Sequence, residues 1–166
     1  MSLRLILIRH AKSAHPHGVE DHDRPLNGRG RGAAGALGRW MARAGLSPDE
    51  AIVSDARRTR ETWEGIAAAL PGAPAPRLER ALYEVEAGEA LAVLRRAAGR
   101  TVALVGHNPG IGDLAAGLLR APPDHPRFAD YPTGATLVAR FAAESWDALT
   151  WGGGVVEHFV VPRELD

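Results

Sequence analysis

The sequence has no cysteine, which excludes disulfides, thiolate metal sites and cysteine nucleophiles together. It has no surplus of charge of either sign, since 20 Lys and Arg balance 20 Asp and Glu. Global charge therefore points to neither nucleic acid nor an anionic membrane as partner. Long apolar runs are missing as well. The N-terminus is apolar from Leu5 to Ile8 and is then interrupted by Arg9-His10. That is too short for a transmembrane helix or a secretory signal, and no small-residue cleavage site follows. Lysine is nearly absent: Lys12 is the only one, and with the many Ala, Arg, Gly and Pro residues this reads as base composition. What remains is a chain of 166 residues, 45% apolar and 24% charged, long enough to bury a real core. The expectation is one soluble, cytoplasmic domain spanning residues 1–166.

Hydrophobic patterning predicts the elements. Leu3 to Ile8 (LRLILI) has no turn residue and fits a strand buried on both faces. A polar loop follows, and Asn27 is placed to cap a helix through Ala33, Leu37, Trp40 and Met41, stopped at Gly45. The run GRGRG, residues 28–32, follows a loop and not a strand, so it reads as a glycine-tolerant helix start and not as a nucleotide loop. Ala51 to Ser54 predicts a second strand, leading into a helix with Thr62, Ile66 and Leu70 that ends at Pro71-Gly72. Residues 78–82 suit a short strand or an irregular segment. Glu89 to Ala98 predicts a helix stopped at Gly99, and Thr101 to Val105 a buried strand. A further helix is predicted from Pro109, a proline-rich loop over 121–134, and strands over Ala135 to Phe141 and Val155 to Val161. Alternating strands and helices imply an α/β fold, a three-layer α/β/α sandwich with a mostly parallel central sheet.

Two segments share one construction. LRLILI runs into Arg9-His10, and TVALV runs through Gly106 into His107, so each places a histidine just past the carboxyl end of a buried strand. Ligands of open α/β sheets bind at that edge. Either histidine alone is an ordinary packing residue, but both at equivalent strand ends point to a shared pocket. Arg9 precedes His10, and Arg57-Arg58 follow the second strand at the same edge. Arginine forks stay charged and donate paired hydrogen bonds, which suits a phosphoryl group. Asn108-Pro109-Gly110 then opens a helix whose free N–H groups also favour an anion.

With these residues in place, the chain resembles the histidine phosphatase (phosphoglycerate-mutase-like) superfamily, in its SixA-like phosphohistidine phosphatase branch. RHAKS, DHDRPLNGRGRGAA, SDARRTRETWE, LYEVEAGEALAVLRR, TVALVGHNPGIGDLA, PTGATLVARF and VVPREL follow the branch in order. The resemblance implies that His10 is the nucleophile, becoming a phosphohistidine. Arg9, Arg58 and His107 would bind the phosphate oxygens, with Ser13, Arg24 and Asn108 lining the pocket. It implies no metal and no cofactor, and a phosphohistidine-bearing protein or a small phosphorylated compound as substrate. Ala11 stands where the wider superfamily usually has glycine, as the SixA-like branch does. The superfamily's proton donor is often the Glu of a Leu-x-Glu segment, for which Leu82-Tyr83-Glu84 is the nearest match, with Asp23 the alternative acid. Nothing between Ser54 and Thr101 is long enough for a large lid, which favours a phosphorylated protein over a small phosphoester.

Three other readings compete. One is a broad-specificity phosphoester phosphatase of the same superfamily. Another is a metal-dependent hydrolase using His15, His17, Asp21, His22 and Asp23, although their irregular spacing is that of a solvated loop. The third is a phosphate-binding module without turnover, against which His10, Arg9, Arg58 and His107 are all present.

Overall fold

A six-stranded mixed sheet between two pairs of helices makes up the computed structural model, which describes residues 2–165. Its strands are β1 (Leu3–Arg9), β2 (Glu50–Ser54), β3 (Pro76–Glu79), β4 (Thr101–Gly106), β5 (Thr136–Phe141) and β6 (Val155–Val160). They lie in the order β3-β2-β4-β1-β5-β6. The helices are α1 (Gly28–Arg43), α2 (Arg57–Ala68), α3 (Ala87–Leu94) and α4 (Gly110–Leu118). Among the described residues, no helix is long and apolar enough to cross a membrane.

The apolar runs behave as strands buried on both faces. Along β1, Leu5 and Leu7 enter one core while Ile6 and Ile8 enter the other, and all four are fully buried. Burial on this scale stabilises by roughly 1.5–3 kcal/mol per side chain. In β4, Val102 and Leu104 divide from Ala103 and Val105 in the same way. The first core is closed by Leu91 and Leu94 of α3 with Leu114 and Leu118 of α4. The second is closed by Leu37 and Met41 of α1 with Trp63 and Ile66 of α2. The expected three layers are therefore present.

Strands β3, β2, β4 and β1 are parallel, while β5 runs against β1 and β6 against β5. The reversal follows from where the proline-rich loop delivers the chain. Gly134 N–H donates to the carbonyls of Arg9 and His10, at 3.1 and 3.0 Å, so β5 starts where β1 ends. Helix α1 follows β1 onto one face and α4 follows β4 onto the other. The chain thus leaves two neighbouring strands in opposite directions, which opens a crevice over their carboxyl ends.

Strand β3 (Pro76–Glu79) starts ahead of the expected 78–82 segment, and helix boundaries differ from the sequence expectation in three places. Helix α3 spans Ala87–Leu94 and not 89–98. Glu86 and Glu89 form a capping box that starts it early, and Glu50 Oε1 takes the N–H groups of Ala98 and Gly99, drawing the chain out of helix. Helix α2 ends at Ala68, so Leu70 is buried beyond it, and α4 begins at Gly110 with Pro109 in the cap position. The run 28–32 does open α1, where Asn27 Oδ1 accepts from Gly30 N–H at 2.9 Å. Gly30 is nevertheless not interchangeable: a Cβ there would lie 2.0 Å from the Lys12 carbonyl, so α1 packs directly on the loop that carries His10.

Tyr131 fastens the other side of that loop. It is fully buried, its hydroxyl donates to the Leu7 carbonyl at 2.6 Å, and it accepts from Leu137 N–H at 3.1 Å. Tyr131→Phe leaves two buried backbone groups without a partner. The expected cost is about 2–4 kcal/mol, read as a lower midpoint in urea unfolding; an unchanged midpoint would show that the bridge contributes nothing net.

Candidate active site

Three strand ends supply the site. Arg9 closes β1 and presents His10, Ser54 closes β2, and Gly106 closes β4 and presents His107. Strand β4 lies between β1 and β2, so the two histidines come together, with ring centroids 5.4 Å apart. They line a cavity of about 210 Å³ with Arg9, Lys12, Ser13, His15, Arg24, Arg58, Glu84, Asn108 and Thr133.

His10 has its tautomer fixed by its own loop. Nδ1 lies 2.7 Å from the Ala11 carbonyl, which can only accept, so Nδ1 carries the proton and Nε2 keeps its lone pair. Ala11 N–H donates to Thr62 Oγ1, and that hydroxyl donates to the Arg58 carbonyl, tying the loop to α2. His107 Nε2 is 2.8 Å from Ser54 Oγ. Burial holds the His10 pKa down to about 4, helped by the charges of Arg58, Arg9 and Arg24. Burial, then His10 and Arg58, holds His107 down to about 3.

The cations are positioned chiefly by carbonyls and by the Asp21 carboxylate. Arg9 Nη1 donates to the Tyr131 carbonyl at 3.1 Å, and Asn108 Nδ2 donates to the same oxygen at 3.0 Å. Asn108 Oδ1 in turn accepts from Gly112 N–H, linking the pocket wall to α4. Arg58, 3% exposed, donates from Nη1 to the Asp21 carbonyl at 2.7 Å and from Nη2 to Asp21 Oδ2 at 3.0 Å. Arg24 donates to Asp21 Oδ1 at 2.7 Å and to Ser13 Oγ at 2.6 Å. The Tyr83 hydroxyl also donates to Asp21. That bond, with those of Arg24 and Arg58, holds the Asp21 carboxyl well below the usual carboxylate range. Asp21 thus anchors both arginines, a role its sequence reading as a metal-loop residue missed. The signal was present as an acid three residues before Arg24 in DHDRPLNGRG.

The structure brings together His10, Arg9, Arg58, His107, Ser13, Arg24 and Asn108, as the sequence led one to expect. Glu84 lies at the rim, its side chain 55% exposed and Oε1 3.3 Å from Arg58 Nη2. The alternative acid, Asp23, is misplaced for that role: its side chain is 66% exposed and it does not line the cavity. The short 3-10 turn over Asp21–Asp23 turns only the first carboxylate inward to the arginines. Loop 15–23 likewise gathers no metal site, because His22 donates to Asp55 at 2.8 Å and Asp21 is taken up by arginines. Among the described residues, no three His, Cys, Asp or Glu could hold a metal ion.

Two buried side-chain nitrogens lack a hydrogen-bond partner among the described residues, Arg9 Nε and His107 Nδ1. An unpartnered buried polar atom costs on the order of 1–3 kcal/mol, and both belong to side chains lining the same cavity. With Arg24, Arg58 and Lys12 around them, they make a cradle for a multiply charged oxyanion.

The depressed histidines carry a prediction. The unfolded chain, with ordinary values near 6.5, binds more protons than the folded one as pH falls. The stability contributed by neutral His10 and His107 is complete above about pH 6.5 and is lost progressively as pH falls from there to about 4 and 3. From pH 7 to 5 the pair should lower unfolding free energy by on the order of 3 kcal/mol. Urea unfolding at both pH values tests this, and replacing both histidines by Gln should flatten the slope.

Residues 5–92 match the histidine phosphatase superfamily (branch 1). An uncharacterized protein of Mycobacterium tuberculosis is 36% identical over 164 residues, covering 94% of this chain and all of that one. Among solved structures, the chain is similar to a protein of Nakamurella multipartita provisionally named the phosphohistidine phosphatase SixA. The TM-score is 0.84 at 28% identity, over 98% of this chain and 97% of that one. A protein of Agrobacterium tumefaciens, also provisionally named the phosphohistidine phosphatase SixA, shares the fold, with a TM-score of 0.78 at 24% identity over 96% and 99% of the two chains. The chain is therefore a phosphatase that belongs to the histidine phosphatase superfamily, branch 1, on its SixA-like side.

Proposed function

We propose that the protein is a metal-independent phosphohydrolase that passes the phosphoryl group through His10 and acts on protein phosphohistidine. The observation that carries this reading is the pair of unpartnered buried nitrogens, Arg9 Nε and His107 Nδ1, beside a histidine whose Nε2 lone pair is free. In the first step His10 Nε2 attacks phosphorus, and the bond from phosphorus to the substrate's imidazole nitrogen breaks. The leaving nitrogen keeps the electron pair and takes a proton from Glu84, the one carboxylic residue lining the cavity among the described residues. In the second step water attacks phosphorus while the Glu84 carboxylate takes its proton, the bond to His10 Nε2 breaks with the electron pair returning to that nitrogen, and inorganic phosphate leaves. Arg9, Arg58 and His107 hold the three peripheral oxygens throughout, so catalysis is positioning plus charge stabilisation.

A protein substrate is supported by the shape of the mouth. The segment between β2 and β4 holds only α2, a four-residue strand, a three-residue turn and the eight-residue α3, and Glu84 at the rim is exposed. A side chain presented by another protein can enter. The test is phosphate release in EDTA from a phosphohistidine-bearing protein beside a panel of phosphoesters. Preferential turnover of the phosphohistidine protein supports the reading. Turnover of phosphoesters alone transfers the same machinery to small molecules, and activity lost in EDTA would restore a metal-dependent hydrolase.

A further inference from the structure

A second, larger depression adjoins the catalytic cavity and shares Lys12 and Thr133 with it. Its volume is about 690 Å³, roughly three times that of the cavity. Lys12, Arg29, Arg39, Arg127 and Arg163 line it, and no acidic residue does among those described. Arg127 is already paired with Asp130 at 2.9 Å, but Lys12, Arg29 and Arg163 are exposed and make no ion pair to a described residue. The walls between these cations are apolar, built from Ala33 and Ala36 of α1 and from Val161 and Pro162 after β6. A chain with equal numbers of basic and acidic residues has thus gathered one sign of charge beside its catalytic cavity.

We infer that this groove docks the acidic, partly apolar segment that flanks the phosphohistidine of a protein substrate; the inference rests on the phosphohistidine reading of the site. Charge complementarity selects carboxylates on that segment, and the apolar walls receive its aliphatic side chains. A polyphosphate or nucleic acid backbone would use the cations and leave those walls unfilled. Continuity through Lys12 and Thr133 lets one segment place its phosphoryl group against His10 while its neighbours lie in the groove. The cationic groove raises encounter rate and lowers KM for acidic partners without touching the reacting atoms.

The test compares phosphoramidate, too small to reach the groove, with two synthetic phosphohistidine peptides, one flanked by Asp, Glu and Leu and one by Lys and Leu. The parent enzyme should prefer the acidic peptide by about tenfold or more in kcat/KM, through KM, and the preference should shrink as salt is added. Arg29→Glu combined with Arg163→Glu should abolish the preference while phosphoramidate turns over at the parent rate. Both residues are exposed, and Glu in the first turn of α1 suits the helix dipole, so the fold should tolerate the change. Equal handling of both peptides, or a preference that survives the double change, overturns the groove while leaving the phosphatase reading intact. Failure on phosphoramidate and both peptides overturns that reading instead, and the docking role with it. A labelled single-stranded oligonucleotide bound by the parent more tightly than the acidic peptide, and released by the double change, also overturns it.

Discussion

Replacing His10 by Ala is expected to lower phosphate release at least about a thousandfold, with kcat falling and the fold retained. The size follows from the chemistry. No other group in the cavity has both a free ring nitrogen and a tautomer fixed by a carbonyl, as His10 has through Ala11 at 2.7 Å. His107 does not substitute, because its Nε2 is engaged with Ser54 Oγ at 2.8 Å. The arginine cradle would remain and would still bind phosphate, so KM or an inhibition constant for inorganic phosphate should change far less than kcat. Activity within tenfold of the parent would place the nucleophile elsewhere.

Arg58→Ala should have the next largest effect, a loss of about a hundred- to a thousandfold in kcat. Arg58 is almost fully buried and is held by both the carbonyl and the carboxylate of Asp21, so its guanidinium enters the site preorganised. In the proposed mechanism, removing it takes away donors for the transferring oxygens, and in the structure it takes away one anchor of Asp21. Arg58→Lys should recover little, since an ammonium group cannot make the two separate bonds that the planar fork makes. A second readout separates electrostatics from packing. Arg58 is the foremost of the charges that lower the His10 pKa, so its loss should move that value up from about 4, while burial keeps it below 6.5. The His10 ring titration followed by NMR gives the shift; a value that does not move would make Arg58 a packing residue.

Much of this architecture is legible in the chain because the parallel strands are buried on both faces. LRLILI and TVALV are nearly continuous apolar runs, and their carboxyl ends carry His10 and His107 without any long-range information. The helix caps were legible too where the cap is local, as at Asn27. What escaped was decided by partners far away in sequence. The end of α3 depends on Glu50, some 50 residues earlier, and the antiparallel entry of β5 on hydrogen bonds from Gly134 to the end of β1. The role of Asp21 escaped for the same reason: its partners Arg58 and Tyr83 lie 37 and 62 residues away. Asp23, two residues on, has the same chemistry and no such partners, so composition alone could not separate the two.

The most direct test of covalent catalysis at His10 is rapid alkaline quenching of the enzyme during turnover of phosphoramidate, followed by peptide mapping of the phosphoryl group. Alkali preserves phosphohistidine and acid releases it. Expected is an acid-labile phosphoryl group on the peptide that contains His10, appearing before steady-state phosphate release and missing from His10→Ala. Turnover at full rate with the phosphoryl group on another residue, or with none on the enzyme at any quench time, would contradict it.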